Sequence, residues 1–269
     1  MDLLQVVALA VVQGVTEFLP ISSSGHLVVL EDVFRGSGPA NEQGELTLNI
    51  FLHLGTLLAV VVFYWRSILR LLGADRRAIG LLIVGTIPAA AVGLAIKKLA
   101  PDLATNALLS GCLLPVTGII LLVSARLPEG AVEYRNMSYF SALGIGCAQA
   151  LAVLPGISRS GATIVAGLGL GLRREAAATF SFLLAIPVIA GAGILESYDL
   201  VRSGRLTLPA TQMVLGISVA FAIGLLALVW LLRWLRQGRL YLFAWWCFAL
   251  GAAVIVWQIT LLRSADTAP

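Results

Sequence analysis

The sequence predicts an all-α integral membrane protein. The expected architecture is a helical bundle with an inverted internal repeat, each half one re-entrant helical hairpin plus three transmembrane helices. Three observations carry this. The 269 residues are 59% hydrophobic and only 12% charged, against about 25% charged in a soluble domain. Six apolar stretches are long enough to cross about 30 Å of hydrocarbon as helices. Two more apolar stretches are broken by polar sequence that recurs half a chain apart.

The crossings fall at roughly 46–65, 78–96, 105–125, 176–195, 209–232 and 240–262. The broken regions are 3–30 and 137–171. Each starts as a helix-like apolar run, breaks at a Leu-Pro, passes through Ser/Gly-rich sequence and resumes as a short apolar run. Residues 27–30 and 164–170 are too short for a second crossing, so each region reads as a re-entrant hairpin. Irregular backbone at membrane depth is tolerated only inside protein or beside a wet cavity.

The two breaks resemble each other. Leu19-Pro20-Ile21-Ser22-Ser23-Ser24-Gly25 matches Leu154-Pro155-Gly156-Ile157-Ser158-Arg159-Ser160-Gly161 with one inserted glycine, and Gln13 and Gln149 precede them at similar distances. One membrane domain, 1–269, therefore divides into repeat halves of about 1–130 and 131–269. An odd number of crossings per half inverts the second copy, as in many transporter folds.

Basic residues test the topology. With hairpins that return to their own side, one face carries Arg66, Arg70, Arg76, Arg77, Arg126, Arg135, Arg173, Arg174, Arg233, Arg236 and Arg239. The other carries Arg35, Lys97, Lys98, Arg202, Arg205 and Arg263, a split of eleven against six with Arg159 inside. If both regions crossed once, the split would be nine against eight. The positive-inside tendency favours the hairpins and puts the eleven-residue face in the cytoplasm. Both termini and the acidic loop 31–45 then lie outside.

The net charge of +4 reads as topology-setting loop charge and not as a nucleic-acid surface. Cys112, Cys147 and Cys247 sit in apolar runs without metal-ligand spacing and read as buried thiols. The first apolar run lacks a basic flank and carries Gln13 and Glu17, so it reads as part of the mature fold. Pro88, Pro115 and Pro187 lie inside spans, and most tryptophans fall near span ends, where interface anchoring explains them.

Ionisable groups at membrane depth are functional-site hypotheses by default. Gln13 and Glu17, four residues apart, share a helix face. Glu17 could bind a divalent cation or act as a base. His26 could carry a proton or attack phosphorus. His53 suits a structural or a supporting role equally. Arg159 keeps its charge and grips phosphate bidentately. Ser158, Ser160, Gly161 and Thr163 add hydroxyls and backbone N–H groups at the start of a short helix, which is an anion site. Acid, base, cation and hydroxyls together point to phosphate chemistry inside a membrane.

At these residues the sequence resembles the undecaprenyl-diphosphate phosphatase family of the bacitracin-resistance type. The matching motifs are Gln13 to His26, as (Glu/Gln)-Gly-x-x-Glu-Phe-Leu-Pro-x-Ser-Ser-x-Gly-His, and Pro155 to Thr163, as Pro-Gly-x-Ser-Arg-Ser-Gly-x-Thr. Phe180 to Pro187 and Leu54 to Val60 also resemble the family. The resemblance implies hydrolysis of undecaprenyl diphosphate to undecaprenyl phosphate in a bacterial inner membrane, with a divalent cation, Mg2+ or Ca2+. Glu17, Ser23, His26 and Arg159 would be catalytic, with Glu17 as metal ligand. Gln13, Ser22, Ser24, Ser158, Ser160, Gly161 and Thr163 would bind substrate. The partners implied are a polyprenyl diphosphate and membrane lipids, with a homodimer allowed and no nucleic acid. Some members carry a second glutamate where this chain has Gln13, which puts a two-carboxylate metal site in doubt.

Ser23 as nucleophile with His26 as proton carrier is the preferred assignment. Attack by His26, or by water that His26 activates, stays open. The rival enzyme class, a lipid phosphatase with Lys-x6-Arg-Pro and Ser-Arg-x5-His-x3-Asp motifs, lacks both motifs here. The rival from another class is a flippase for the polyprenyl phosphate carrier. The expected site opens to the extracytoplasmic side.

Overall fold

Hydrocarbon offers no partner for a peptide N–H or C=O, so an apolar stretch satisfies its own backbone as a helix. The computed structural model describes residues 2–35, 42–73, 75–202 and 208–266. In order the helices are α1 (Leu3–Thr16), α2 (Ser23–Arg35), α3 (Glu42–Phe63), α4 (Trp65–Leu72), α5 (Arg76–Leu99), α6 (Ala107–Ser124), α7 (Tyr139–Leu151), α8 (Arg159–Gly169), α9 (Arg174–Arg202), α10 (Ala210–Arg236) and α11 (Phe243–Asp266). Among the described residues, α3, α5, α6, α9, α10 and α11 are long and apolar enough to span a membrane. The chain is a multi-pass, all-helical membrane protein.

The crossings differ locally from the sequence expectation. The first crossing stops at Phe63, and Tyr64 leaves helical geometry at φ −99°, ψ 16°. The short helix α4 comes next, burying Ser67 and Leu71 and exposing Leu69 and Leu72. The second arms of the broken regions are longer than their apolar runs, because the serines and glycines themselves enter α2 and α8. At 13 residues, α2 is about 20 Å long at 1.5 Å per residue, short of a crossing.

Helix pairing brings the breaks together. The two short pairs, α1 with α2 and α7 with α8, each pack on themselves. Helix α1 runs along α10, and α7 runs along α5. Small residues set the closest approaches. A Cβ at Gly146 of α7 would overlap the Gly85 carbonyl oxygen of α5, so only glycine lets these backbones meet. A core of Phe18, Phe180, Phe182, Leu81, Leu121 and Ile164 fills the centre. Leu99, Phe140 and Leu226 stand on the outside, the apolar exterior that lipid covers.

That exterior corrects one expectation. Cys247 is buried, but Cys112 and Cys147 are exposed. In a membrane bundle an apolar neighbourhood in sequence does not separate inside from outside.

Loop charges gather at one end. Arg77 donates to the carbonyls of Arg135 and Met137, and Arg135 pairs with Asp75 at 3.3 Å. Arg173 pairs with Glu133 and Arg236 with Glu175. Lys97 and Asp199 pair elsewhere, at 2.7 Å. Of the charge count, Arg205 and residues 36–41 of the acidic loop lie outside the described residues, as does the side chain of Arg35.

Candidate active site at the hairpin tips

The Leu-Pro sequences end α1 and α7, because proline disfavours helix for the residue before it. Beyond each helix the chain forms a tight turn, 17–22 in the first hairpin and 152–158 in the second, and the two turns abut one another. They carry backbone that side chains rarely adopt. Ser22 has φ 70° and Gly156 has φ 97°. A non-glycine residue there stores strain that the surroundings must hold.

The surroundings are three direct links between the tips. The Gly156 N–H donates to Ser22 Oγ at 3.1 Å. Ser160 Oγ donates to the Leu19 carbonyl at 3.3 Å. Arg159 Nη2 donates to Glu17 Oε1 at 2.7 Å. Thr117 of α6 clamps the second tip, donating to the Gly156 carbonyl at 2.7 Å and accepting from the Ser158 N–H at 2.9 Å. Ser158 caps α8 by accepting from the Gly161 N–H at 3.1 Å, so the first-turn amides of α8, which have no helical acceptor, begin beside the site.

Glu17 is the hub and is 6% exposed. Its Oε1 takes Arg159. Its Oε2 accepts from Ser23 Oγ at 2.6 Å and from Gln13 Nε2 at 3.2 Å. Gln13 also approaches Thr56 Oγ1 at 3.5 Å. His53 Nε2 stands 3.9 Å from Glu17 Oε2. Arg159 keeps one nitrogen, Nη1, buried without a partner, and such an orphan donor is costly until an acceptor arrives.

A cavity of about 790 Å³ opens onto this hub. Thr16, Glu17, Ser23, Ser24, Ser158, Arg159 and His53 give it a polar end, while α3 (Ile50, Phe51, Leu54, Leu57) and α9 (Val188 to Ile194, and Val201) give it long apolar walls, with Glu196, Ser197 and Tyr198 also in the lining.

Apart from His26, the residues expected at the site divide into two groups. Glu17, Ser23, Ser24, Ser158 and Arg159 line the cavity. Gln13, Ser22, Ser160, Gly161 and Thr163 lie behind it as the frame. Gln13 holds Glu17, Ser22 and Ser160 join the tips, Gly161 caps on Ser158, and Thr163 bonds the Arg159 carbonyl and Ser181 Oγ.

His26 stands outside the lining. Its Nδ1 lies 2.7 Å from the Ser22 carbonyl and its Nε2 accepts from Trp246 Nε1 at 2.8 Å, with the rings stacked at 6.2 Å. Thr56 and Thr117 carry no signal in the sequence, and Trp246, which reads there as an interface anchor, instead holds His26. Each is an ordinary residue in an apolar helix, and only its distant partner gives it a role.

The surroundings of Glu17 do not fit a cation held by the protein. Both carboxylate oxygens are already hydrogen-bonded, one to a guanidinium that a cation would have to displace or sit beside. Among the described residues no group of three or more His, Cys, Asp or Glu side chains could hold a metal.

The family described as bacitracin resistance protein BacA matches residues 6–253. An undecaprenyl-diphosphatase from Rhodopirellula baltica is 48% identical over 257 residues, covering 95% of this chain and 98% of that protein. One from Halothermothrix orenii is 39% identical over 259 residues, covering 95% and 98%. One from Methanosphaera stadtmanae is 36% identical over 284 residues, covering 97% and 100%. The chain belongs to the bacitracin resistance protein BacA family.

Proposed function

We propose that the chain hydrolyses undecaprenyl diphosphate to undecaprenyl phosphate and inorganic phosphate within the membrane, the activity its relatives are named for. This would return the lipid carrier to cell-wall synthesis. The observation that carries this reading is the chain Ser23–Glu17–Arg159, a hydroxyl on a carboxylate on a guanidinium, at the polar end of an apolar cavity. A diphosphate head meets the charge while its prenyl tail stays against α3 and α9.

Ser23 Oγ, held by Glu17, attacks the terminal phosphorus. Arg159 offers Nη1 to the transferring phosphoryl group, stabilising the charge that spreads over its oxygens. The first-turn amides of α8 that precede the capped Gly161 N–H add donors. The products are a phosphoserine and the lipid monophosphate, and water then releases inorganic phosphate from Ser23. The divalent cation expected from the family would supply charge neutralisation to the diphosphate, and no residue of the chain is assigned to hold it. On this reading the protein lies in the inner membrane, and the basic-residue count supports a first hairpin whose mouth faces outward.

The transporter alternative shares the architecture. Purified protein in detergent separates the two. Phosphate release from undecaprenyl diphosphate needs one compartment and transport needs two. Catalytic release supports the phosphatase; none contradicts it.

A further inference from the structure

A proton must leave the attacking oxygen and another must reach the leaving oxygen, and an imidazole is the usual carrier. The chain has two histidines, and the structure distinguishes them by what their nitrogens do.

His26 has no free nitrogen. An indole N–H only donates and a carbonyl only accepts. Nε2 of His26 therefore accepts from Trp246 and Nδ1 carries the proton, donated to the Ser22 carbonyl. That carbonyl belongs to the strained residue of the first tip. The ring is thus built into the turn that presents Ser23, and it is absent from the cavity lining.

His53 is arranged the other way. Its Nδ1 lies 2.8 Å from the Asn49 carbonyl, which fixes a proton on Nδ1 and leaves Nε2 to face the cavity and Glu17. Nε2 faces Glu17 Oε2 at 3.9 Å, the oxygen that already accepts from Ser23 Oγ. One water, or a small ring rotation, closes that gap. The side chain is 35% exposed and lines the cavity.

We infer that His53, and not His26, is the proton carrier of the site, with His26 a positioning residue that shapes the Ser23 turn. The inference rests on the phosphatase reading.

As Ser23 Oγ bonds to the terminal phosphorus, the bridging oxygen departs with the electron pair of the broken P–O bond. The serine proton passes to Glu17, then to His53 Nε2, and on to the bridging oxygen of the lipid phosphate. In the second step water attacks the phosphoserine. As the Ser23 Oγ–P bond breaks, the water proton passes back through His53 Nε2 and Glu17 to Ser23 Oγ, so no proton is gained or lost by the protein. The ionisable groups that share the cavity with His53 are Glu17, Arg159, Glu196 and Tyr198. Glu31 accepts from Asn49, one turn earlier on α3. Helix α10, also packed on α3, brings no ionisable side chain before Arg233.

The test compares His53→Ala, His53→Gln and His26→Ala in detergent, with phosphate release from undecaprenyl diphosphate as the readout and elution on size exclusion as the check of fold. Both His53 variants are expected to lose at least about a hundredfold in kcat, the scale of general acid–base catalysis, with KM within about threefold. Added imidazole is expected to restore His53→Ala severalfold through the open cavity, and not His26→Ala. Glutamine keeps a donor for the Asn49 carbonyl but cannot carry a proton, so near-parental turnover in His53→Gln overturns the inference. Failure of imidazole to rescue His53→Ala, or rescue of His26→Ala in its place, overturns it too. A parent that releases no phosphate refutes the phosphatase reading itself, a result separate from any of these.

Discussion

Arg159 Nη2 and Glu17 Oε1 meet at 2.7 Å across 142 residues of sequence, joining the tips of the two hairpins through one buried ion pair. Arg159→Lys is expected to keep the fold and to lower turnover by about 10²- to 10³-fold, the scale for removing one positioned donor to transition-state charge. Lysine keeps the charge but cannot hold Glu17 with one nitrogen and present another in the same plane. Turnover and size exclusion together check this. Near-parental turnover in the lysine variant contradicts a two-handed role for the guanidinium.

Ser22 tests the frame behind the site. It has φ 70°, and its Oγ accepts from the buried N–H groups of Gly156 and Gly25 at 3.1 and 3.3 Å. Ser22→Ala removes the acceptor and keeps the strain, at a cost of about 1–3 kcal/mol for the orphaned donors. Ser22→Gly also loses the acceptor but relieves the backbone. The glycine variant is therefore expected to unfold at a higher temperature than the alanine variant in a detergent melt. The reverse order contradicts strain at this position.

Glu17 as a metal ligand was an expectation of the family resemblance, and the geometry argues against it. Substrate-free protein is expected to bind Mg2+ or Ca2+ only weakly, at about millimolar or above, in isothermal titration calorimetry. A tight site in the parent that disappears in Glu17→Gln contradicts this reading of Glu17.

Sidedness rests on the basic-residue count and the place of Ser24 on the cavity wall. A cysteine is placed at Ser24 in a background with Cys112, Cys147 and Cys247 replaced by alanine. It is expected to react with an impermeant thiol reagent added outside intact cells, and bound substrate is expected to protect it. Labelling in inverted vesicles alone reverses the orientation.

The crossings were legible because length and apolarity suffice to define a membrane helix, so α5, α6 and α10 fall within a few residues of where the apolar runs place them. The site was legible in part. Glu17, Ser23 and Arg159 stood out because charged and polar groups at membrane depth are costly and few. What the sequence could not give was direction. Nothing local to His26 says that Trp246, 220 residues later, takes its second nitrogen. Nothing local to His53 says that α3 turns it toward Glu17. The exposed Cys112 and Cys147 have the same cause, since apolar runs look alike whether they face protein or lipid.

The central claim is that Ser23, held by Glu17 and faced by Arg159, takes the terminal phosphoryl group. Rapid-quench reaction of purified protein with undecaprenyl diphosphate labelled on the terminal phosphorus measures this directly. The expected result is a transient label on the parent that maps to Ser23, decays as inorganic phosphate appears, and is absent from Ser23→Ala. Full turnover by the parent with no label on the protein, or a label that persists in Ser23→Ala, contradicts it.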